Sequence, residues 1–119
     1  MKKTLVLGAS TKPNRYGNIT TRRLKLYNHE VVPVGNREGE IDGIEILLGK
    51  PEVEGIDTIT LYLNPKRQVE FYDYIIGLKP KRIIFNPGTE NPELIKLAKE
   101  NGIECEIACT LVLLSVGQY

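Results

Sequence analysis

The chain has 119 residues, 41% hydrophobic and 26% charged, and its 16 basic and 15 acidic side chains leave a net charge of +1. These proportions exclude a disordered or low-complexity protein, and no apolar run approaches the ~20 residues of a membrane span. Near-neutrality also excludes a general attraction to nucleic acid or a membrane surface, so any basic function must be local.

The length fits one ordinary domain over residues 1–119, and folding would hide roughly 65% of the surface of a chain this size. Met1 to Leu7 runs from charged to apolar, but the apolar part stops at Gly8, as in a buried first strand and unlike a signal peptide. Cys105 and Cys109 make neither a metal quartet nor a C-x-x-C pair. Two thiols without a secretion signal point to a reducing cytoplasm.

Along the chain a short apolar run, a turn and an amphipathic stretch recur. Lys3 to Leu7 is the first strand and ends in Gly8-Ala9-Ser10. Gly17 to Tyr27 places Ile19, Leu24, Leu26 and Tyr27 at helical spacing and closes on Asn28-His29. Glu30 to Val34 is the second strand, broken by Gly35-Asn36; Ile44 to Leu48 is a weak segment, and Pro51 to Gly55 reads as a short helical turn. Asp57 to Leu63 is the third strand, and Asn64-Pro65 then supplies a cap and a first-turn proline. A helix follows over Arg67 to Leu78, then a fourth strand over Lys81 to Phe85 and the turn Asn86-Pro87-Gly88-Thr89. Asn91-Pro92 repeats the helix start for Glu93 to Asn101, Gly102 ends that helix, and Ile103 to Ala108 is the fifth strand. Thr110 to Val116 is a final short helix or a hydrophobic tail. The alternation predicts an α/β, three-layer, Rossmann-like doubly wound sheet of five parallel strands in the order 3-2-1-4-5.

Ligands of such sheets bind beyond the carboxyl ends of the strands, at the switch point beside strand one. The loops there are Gly8-Ala9-Ser10-Thr11, Gly35-Asn36-Arg37, Asn64-Pro65 and Asn86-Pro87-Gly88-Thr89. In the first, Gly8 permits a sharp turn, and the loop opens into a helix whose free N–H groups and dipole face an anion. Ser10 and Thr11 add hydroxyl donors, and Lys12 and Arg15 add charge suited to phosphate oxygens. An ordinary turn with solvated lysine and arginine would use the same residues.

The G-x-G-x-x-G dinucleotide fingerprint is missing, because Gly8-Ala9-Ser10 lacks the second glycine and the next glycine is Gly17. The phosphate-loop pattern ending in Gly-Lys-Ser/Thr is missing too. A nicotinamide cofactor would want an acid at the end of strand two, where this chain has Gly35-Asn36-Arg37. Arg37 there suits an additional phosphate on a ribose, or is simply a surface arginine. Pro65 is a routine helix start that could also wall an adenine or a pantetheine chain. The Asn86 to Thr89 turn could equally be no more than a turn, although Gly88 would allow close approach.

No catalytic constellation emerges. His29, the single histidine, lies at the amino end of the sheet; Cys109 follows strand five and reads better as a small buried residue than as a reactive thiol. Glu38, Glu40 and Asp42 form a solvated acidic loop, and no metal-ligand spacing appears.

Taken together, "VLGASTKPNRYGN", "HEVVPVGN" ahead of a short loop to Gly43, "DTITLYLNP", "RIIFNPGTENPEL" and "GIECEIACT" resemble the coenzyme A-binding domain in its small stand-alone bacterial form. The same domain opens the alpha subunit of succinyl-CoA synthetase. Where that family typically has a Pro-Val-Asn-Pro run, Gly35-Asn36 replaces the last two residues here. The resemblance implies coenzyme A lying across the strand ends, with the loop around Ser10 to Arg15 at its phosphates and the Gly35 to Arg37 loop at its adenosine end. It places Pro65 and the Asn86 to Thr89 turn beside the pantetheine. It does not carry over the synthetase reaction, whose phosphorylated histidine lies in a domain absent from this chain.

The leading expectation is therefore a coenzyme A or acyl-coenzyme A binding protein without catalysis of its own, acting on a small-molecule ligand and leaving room for a homodimer or a partner protein. A small NADP-dependent oxidoreductase and a degenerate Rossmann interaction module are the competing readings.

Overall fold

The computed structural model describes residues 1–119. Thr4–Ala9 forms β1, and its alternation sends Leu5 and Leu7 into one core while Val6 and Ala9 enter another. The change of phase falls at Gly8, where the register with the neighbouring strand shifts between Leu7 and Ala9. Tyr16–Leu26 is α1, closed by Asn28 at φ 65° and a backbone hydrogen bond of 3.0 Å from His29 to the Leu24 carbonyl. Val31–Gly35 is β2, Glu40–Ile41 and Ile44–Glu45 make an antiparallel hairpin of β3 and β4, and Leu47–Leu48 is β5. Thr58–Leu61 is β6, Arg82–Phe85 is β7 and Glu104–Ile107 is β8. The remaining helices are α2 (Pro65–Gln68), α3 (Tyr72–Gly77), α4 (Pro92–Glu100) and α5 (Thr110–Ser115).

The sheet is parallel and six-stranded, in the order β5-β2-β1-β6-β7-β8. Two expectations are corrected here. The sheet has six strands, because the weak segment contributes Leu47–Leu48, paired with Val34 and Gly35 as an edge. The third predicted strand pairs with β1 on the side away from β2, so the order 3-2-1-4-5 does not hold. Burial explains the placement: all four residues of β6 are buried, as a central strand requires, whereas Leu48 is exposed, as an edge allows.

The sheet carries helices on both faces. Leu5, Leu7, Ile59, Leu61, Ile83 and Phe85 meet Ile75 of α3 and Leu94 and Ala98 of α4 on one side. Val6, Ala9 and Val31 meet Leu24 of α1 and Leu114 of α5 on the other. Two local expectations also change. Pro51–Gly55 is irregular rather than a helical turn, tied by the Tyr74 hydroxyl to the Pro51 carbonyl and by Lys3 to the Glu54 carbonyl. The helix predicted over Arg67 to Leu78 is interrupted by a tighter turn over Val69–Phe71. Gln68, fully buried, anchors the preceding turn through donated bonds of 2.8 Å to the Leu63 carbonyl and 2.9 Å to the Thr89 carbonyl. Thr110–Ser115 settles as a helix rather than a tail. No helix is long and apolar enough to cross a membrane.

Candidate functional site

The order of strands puts the switch point between β1 and β6. The chain leaves β1 into α1 on one face and leaves β6 into α2 and α3 on the other, so a crevice opens at the carboxyl ends of these two strands. Gly8 stands at its floor with φ 106°, and a Cβ there would lie 2.9 Å from the backbone carbon of Tyr62. Only glycine meets both conditions.

From Ala9 the loop runs outward through exposed Thr11, Lys12, Pro13, Asn14 and Arg15 before α1 begins. The start of α1 is bare: Arg15 caps it without a side-chain hydrogen bond, and its first turn holds no acid. The amides of Tyr16 and Gly17 donate to nothing within the protein. A free N-terminus of this kind carries partial positive charge and N–H groups suited to an anion. The Lys12 and Arg15 side chains form no ion pair, nor does Arg37. Gly35 packs its backbone against the Ala9 carbonyl, which brings the loop of Asn36 and Arg37 alongside Ser10 and Thr11. Gly8, Ala9, Ser10, Thr11, Lys12, Arg15, Gly35, Asn36 and Arg37 thus share one rim.

The other two loops behave differently. Asn64 accepts a 3.0 Å hydrogen bond from the Arg67 amide, so its side chain caps α2, with Pro65 next to it. Asn86 is buried and fully engaged: its Nδ2 donates to Thr60 Oγ1 at 2.6 Å and to the Leu61 carbonyl at 2.9 Å, while Oδ1 accepts the Thr110 amide at 2.8 Å. Its polar atoms face inward, leaving exposed Pro87 and Gly88 at the rim. The Gly88 amide is itself taken by Glu90 at 2.8 Å.

Sequence reasoning missed the polar seam behind the rim. Thr58, Thr60 and Tyr62 alternate with Ile59, Leu61 and Leu63, so one face of this segment is polar and the other apolar. The Tyr62 hydroxyl pairs with Thr20 of α1, and Thr60 pairs with Thr110 of α5 at 2.8 Å. Burial pushes the Tyr62 phenol above its ordinary pKa, partly offset by its hydrogen bond to Thr20. The signal was the period of two within "DTITLYL". Asn18 and Arg22 of α1 were missed as well; helical spacing of apolar residues gives no weight to a buried amide beside a loop.

His29 and Cys109 do not meet. The Lys2 amide donates to His29 Nδ1 at 3.0 Å at the amino end of the sheet, while Cys109 sits half-buried at the start of α5, beyond β8. Two surface concavities, of about 490 and 540 Å³, lie on the flank of α1 around Arg22, Arg23 and Asp42 and on α4 around Lys96 and Lys99, away from the rim. The first is open and part-neutralised by the Lys25–Asp42 pair, and the second is a solvated helix face.

The family described as "CoA binding domain" matches residues 2–115. This chain belongs to that family. No match to a curated protein is found. Among solved structures, one described as an uncharacterized protein is 55% identical, with a TM-score of 0.97 over 100% of this chain and 98% of its own. A hypothetical protein from Pyrococcus horikoshii OT3 is 30% identical, with a TM-score of 0.81 over 93% of this chain and 79% of its own. A conserved hypothetical protein from Pyrococcus furiosus is 27% identical, with a TM-score of 0.78 over 89% and 92% respectively. The CoA-binding domain therefore spans nearly the whole chain. The rim combines an uncapped helix start and three cations without ion-pair partners, with Gly8, Gly17 and Gly35 where a Cβ would strike the neighbouring backbone.

Proposed function

We propose that the chain binds coenzyme A or an acyl-coenzyme A across the carboxyl ends of β1, β2, β6 and β7 and catalyses no reaction of its own. The observation that carries this reading is the bare start of α1 beneath a loop bearing Lys12 and Arg15, in a chain of the CoA-binding family. In it, Gly8 to Arg15 and the amides of Tyr16 and Gly17 receive the pyrophosphate. Gly35, Asn36 and Arg37 meet the phosphorylated ribose. Asn64, Pro65, Pro87 and Gly88 flank the pantetheine, with Asn86 holding that turn in place. Such charge-assisted bonds to phosphate contribute on the order of 1.5–3 kcal/mol each when shielded from water.

Absence of turnover rests on the spacing of the reactive groups. The one imidazole is engaged at the far end of the sheet from Cys109, and no nucleophile–base pair stands on the rim. An NADP site would also use Arg37, so the deciding experiment compares ligands. Titration calorimetry with coenzyme A, NADP and NAD should rank coenzyme A first, and native mass spectrometry of the purified protein should reveal a retained coenzyme A mass. Tighter binding of NADP would overturn the assignment.

A further inference from the structure

The loop between β1 and α1 is exposed from Thr11 to Arg15, and side chains of α1 reach back to bond two of its carbonyls. Asn18, 4% exposed, donates from Nδ2 to the Ser10 carbonyl at 2.8 Å. Its Oδ1 accepts from Arg22 Nε at 2.7 Å, and Arg22 Nη2 donates to the Pro13 carbonyl at 2.9 Å. One guanidinium one turn further along the helix therefore secures two loop carbonyls, one directly and one through the buried amide.

The consequence follows from peptide geometry. In a trans peptide the C=O and the following N–H point in opposite directions. Turning the Ser10 and Pro13 carbonyls toward α1 turns the Thr11 and Asn14 amides away from it, and neither amide has a partner within the protein. The Lys12 amide, by contrast, is satisfied by Ser10 Oγ at 3.1 Å. The loop thus presents unpaired donors next to those of Tyr16 and Gly17, in an arrangement of successive outward N–H groups that suits an anion.

We propose that Arg22, acting through Asn18, is a positioning residue that presets this loop before ligand arrives, resting on the coenzyme A reading for what the loop receives. Arg22 works here as a strut, and its charge serves the two bonds it donates rather than the phosphates. Holding the donors in place beforehand lowers the ordering cost of binding.

The test separates the strut from the ligand. Hydrogen exchange of the ligand-free protein reads the Lys12 and Arg15 amides, which the loop holds on Ser10 Oγ and on the Lys12 carbonyl, and calorimetry reads coenzyme A. Arg22→Ala, which removes both bonds, should speed exchange at Lys12 and Arg15 relative to β1 by about tenfold or more and weaken coenzyme A about fivefold or more. Arg22→Lys, which can restore one of the two bonds, should recover part of both effects, and Arg23→Ala should change neither. Asn18→Asp keeps a partner for Arg22 but sets a lone pair against the Ser10 carbonyl, so it should loosen the loop as Arg22→Ala does. Unchanged exchange in Arg22→Ala would overturn the proposal, and an affinity loss without faster exchange would do so by making Arg22 a direct ligand contact. Wild-type protein that ignores coenzyme A while showing the exchange pattern would sink the coenzyme A reading and leave the strut standing.

Discussion

A Cβ on Gly17 would run into the carbonyl oxygen of Gly8 and lie 3.2 Å from the Cα of Ala9. The start of α1 therefore rests on the end of β1 with backbone against backbone. In the dinucleotide fingerprint the third glycine provides this close helix–strand packing. Gly17 provides it here after a loop longer than the fingerprint allows, so the spacing differs while the contact is kept.

Gly17→Ala should accordingly be felt at the site and in the fold. A methyl group has no room beside the Gly8 carbonyl, and pushing α1 outward costs about 1–3 kcal/mol. The thermal midpoint should fall by roughly 4–8 °C for each kcal/mol lost in a domain near 100 residues. Coenzyme A affinity should fall beyond what that instability explains, measured well below the midpoint. Unaltered binding would show that the contact between α1 and β1 does not set the rim.

Asn86→Ala tests whether this turn is held from within. The substitution strands the Leu61 carbonyl and the Thr110 amide in a buried setting, each worth about 1–3 kcal/mol when left unpaired. A loss on the order of 3 kcal/mol by urea unfolding is expected, with a smaller change in coenzyme A affinity because the side chain faces inward. A mild stability loss paired with a large affinity loss would assign Asn86 to the ligand instead.

These residues also show what the sequence reveals and why. β1, β2, β7 and α4 were legible because apolar runs and an Asn-Pro start each force a single local answer, as Asn91 capping Glu93 and Leu94 confirms. The sheet order was not, because nothing local decides whether Thr58–Leu61 pairs beside β1 or beyond β2. The edge role of Leu47–Leu48 rests on two residues, too few for a periodic signal. At the rim, the cations and glycines were legible from their place after each strand. The inward engagement of Asn86 and the Asn18–Arg22 strut were not, since both arise from contacts between segments distant in sequence or hidden beneath a loop.

His29 gives a pH dependence that owes nothing to the ligand. Burial first, then the N-terminal amine, Lys2 and Arg82, hold its imidazole below the ordinary value of 6.5, against a smaller opposing pull from Asp57. Neutral Nδ1 accepts the Lys2 amide, and protonation would forfeit that bond. Above pH 6.5 neither folded nor unfolded chain carries the proton. Below 6.5 the unfolded chain takes it first, so stability falls with pH until the folded value is reached. His29→Asn, which keeps an acceptor that does not titrate, should flatten this part of the profile. Equal slopes for both proteins between pH 7.5 and about 5 would refute the assignment.

Arg37 offers the sharpest separation between phosphate recognition and general nucleotide affinity. Its loop follows β2, and Gly35 packs against the Ala9 carbonyl, so Arg37 stands beside the first loop with a guanidinium that no acid of the protein neutralises. Coenzyme A carries a 3′-phosphate on its ribose, and dephospho-coenzyme A lacks it. A charge-assisted bond of this kind is worth on the order of 1.5–3 kcal/mol, toward the lower end for a side chain this exposed. Arg37→Ala should therefore weaken coenzyme A by roughly tenfold while scarcely changing dephospho-coenzyme A. Lys12→Ala and Arg15→Ala, assigned to the pyrophosphate common to both, should weaken the two ligands about equally. The wild-type preference for coenzyme A should also shrink as salt is raised, because the contact lies in solvent and is screened. Equal losses for both ligands in Arg37→Ala would move the 3′-phosphate away from this loop, and a selective loss in Lys12→Ala or Arg15→Ala would place it over the start of α1 instead.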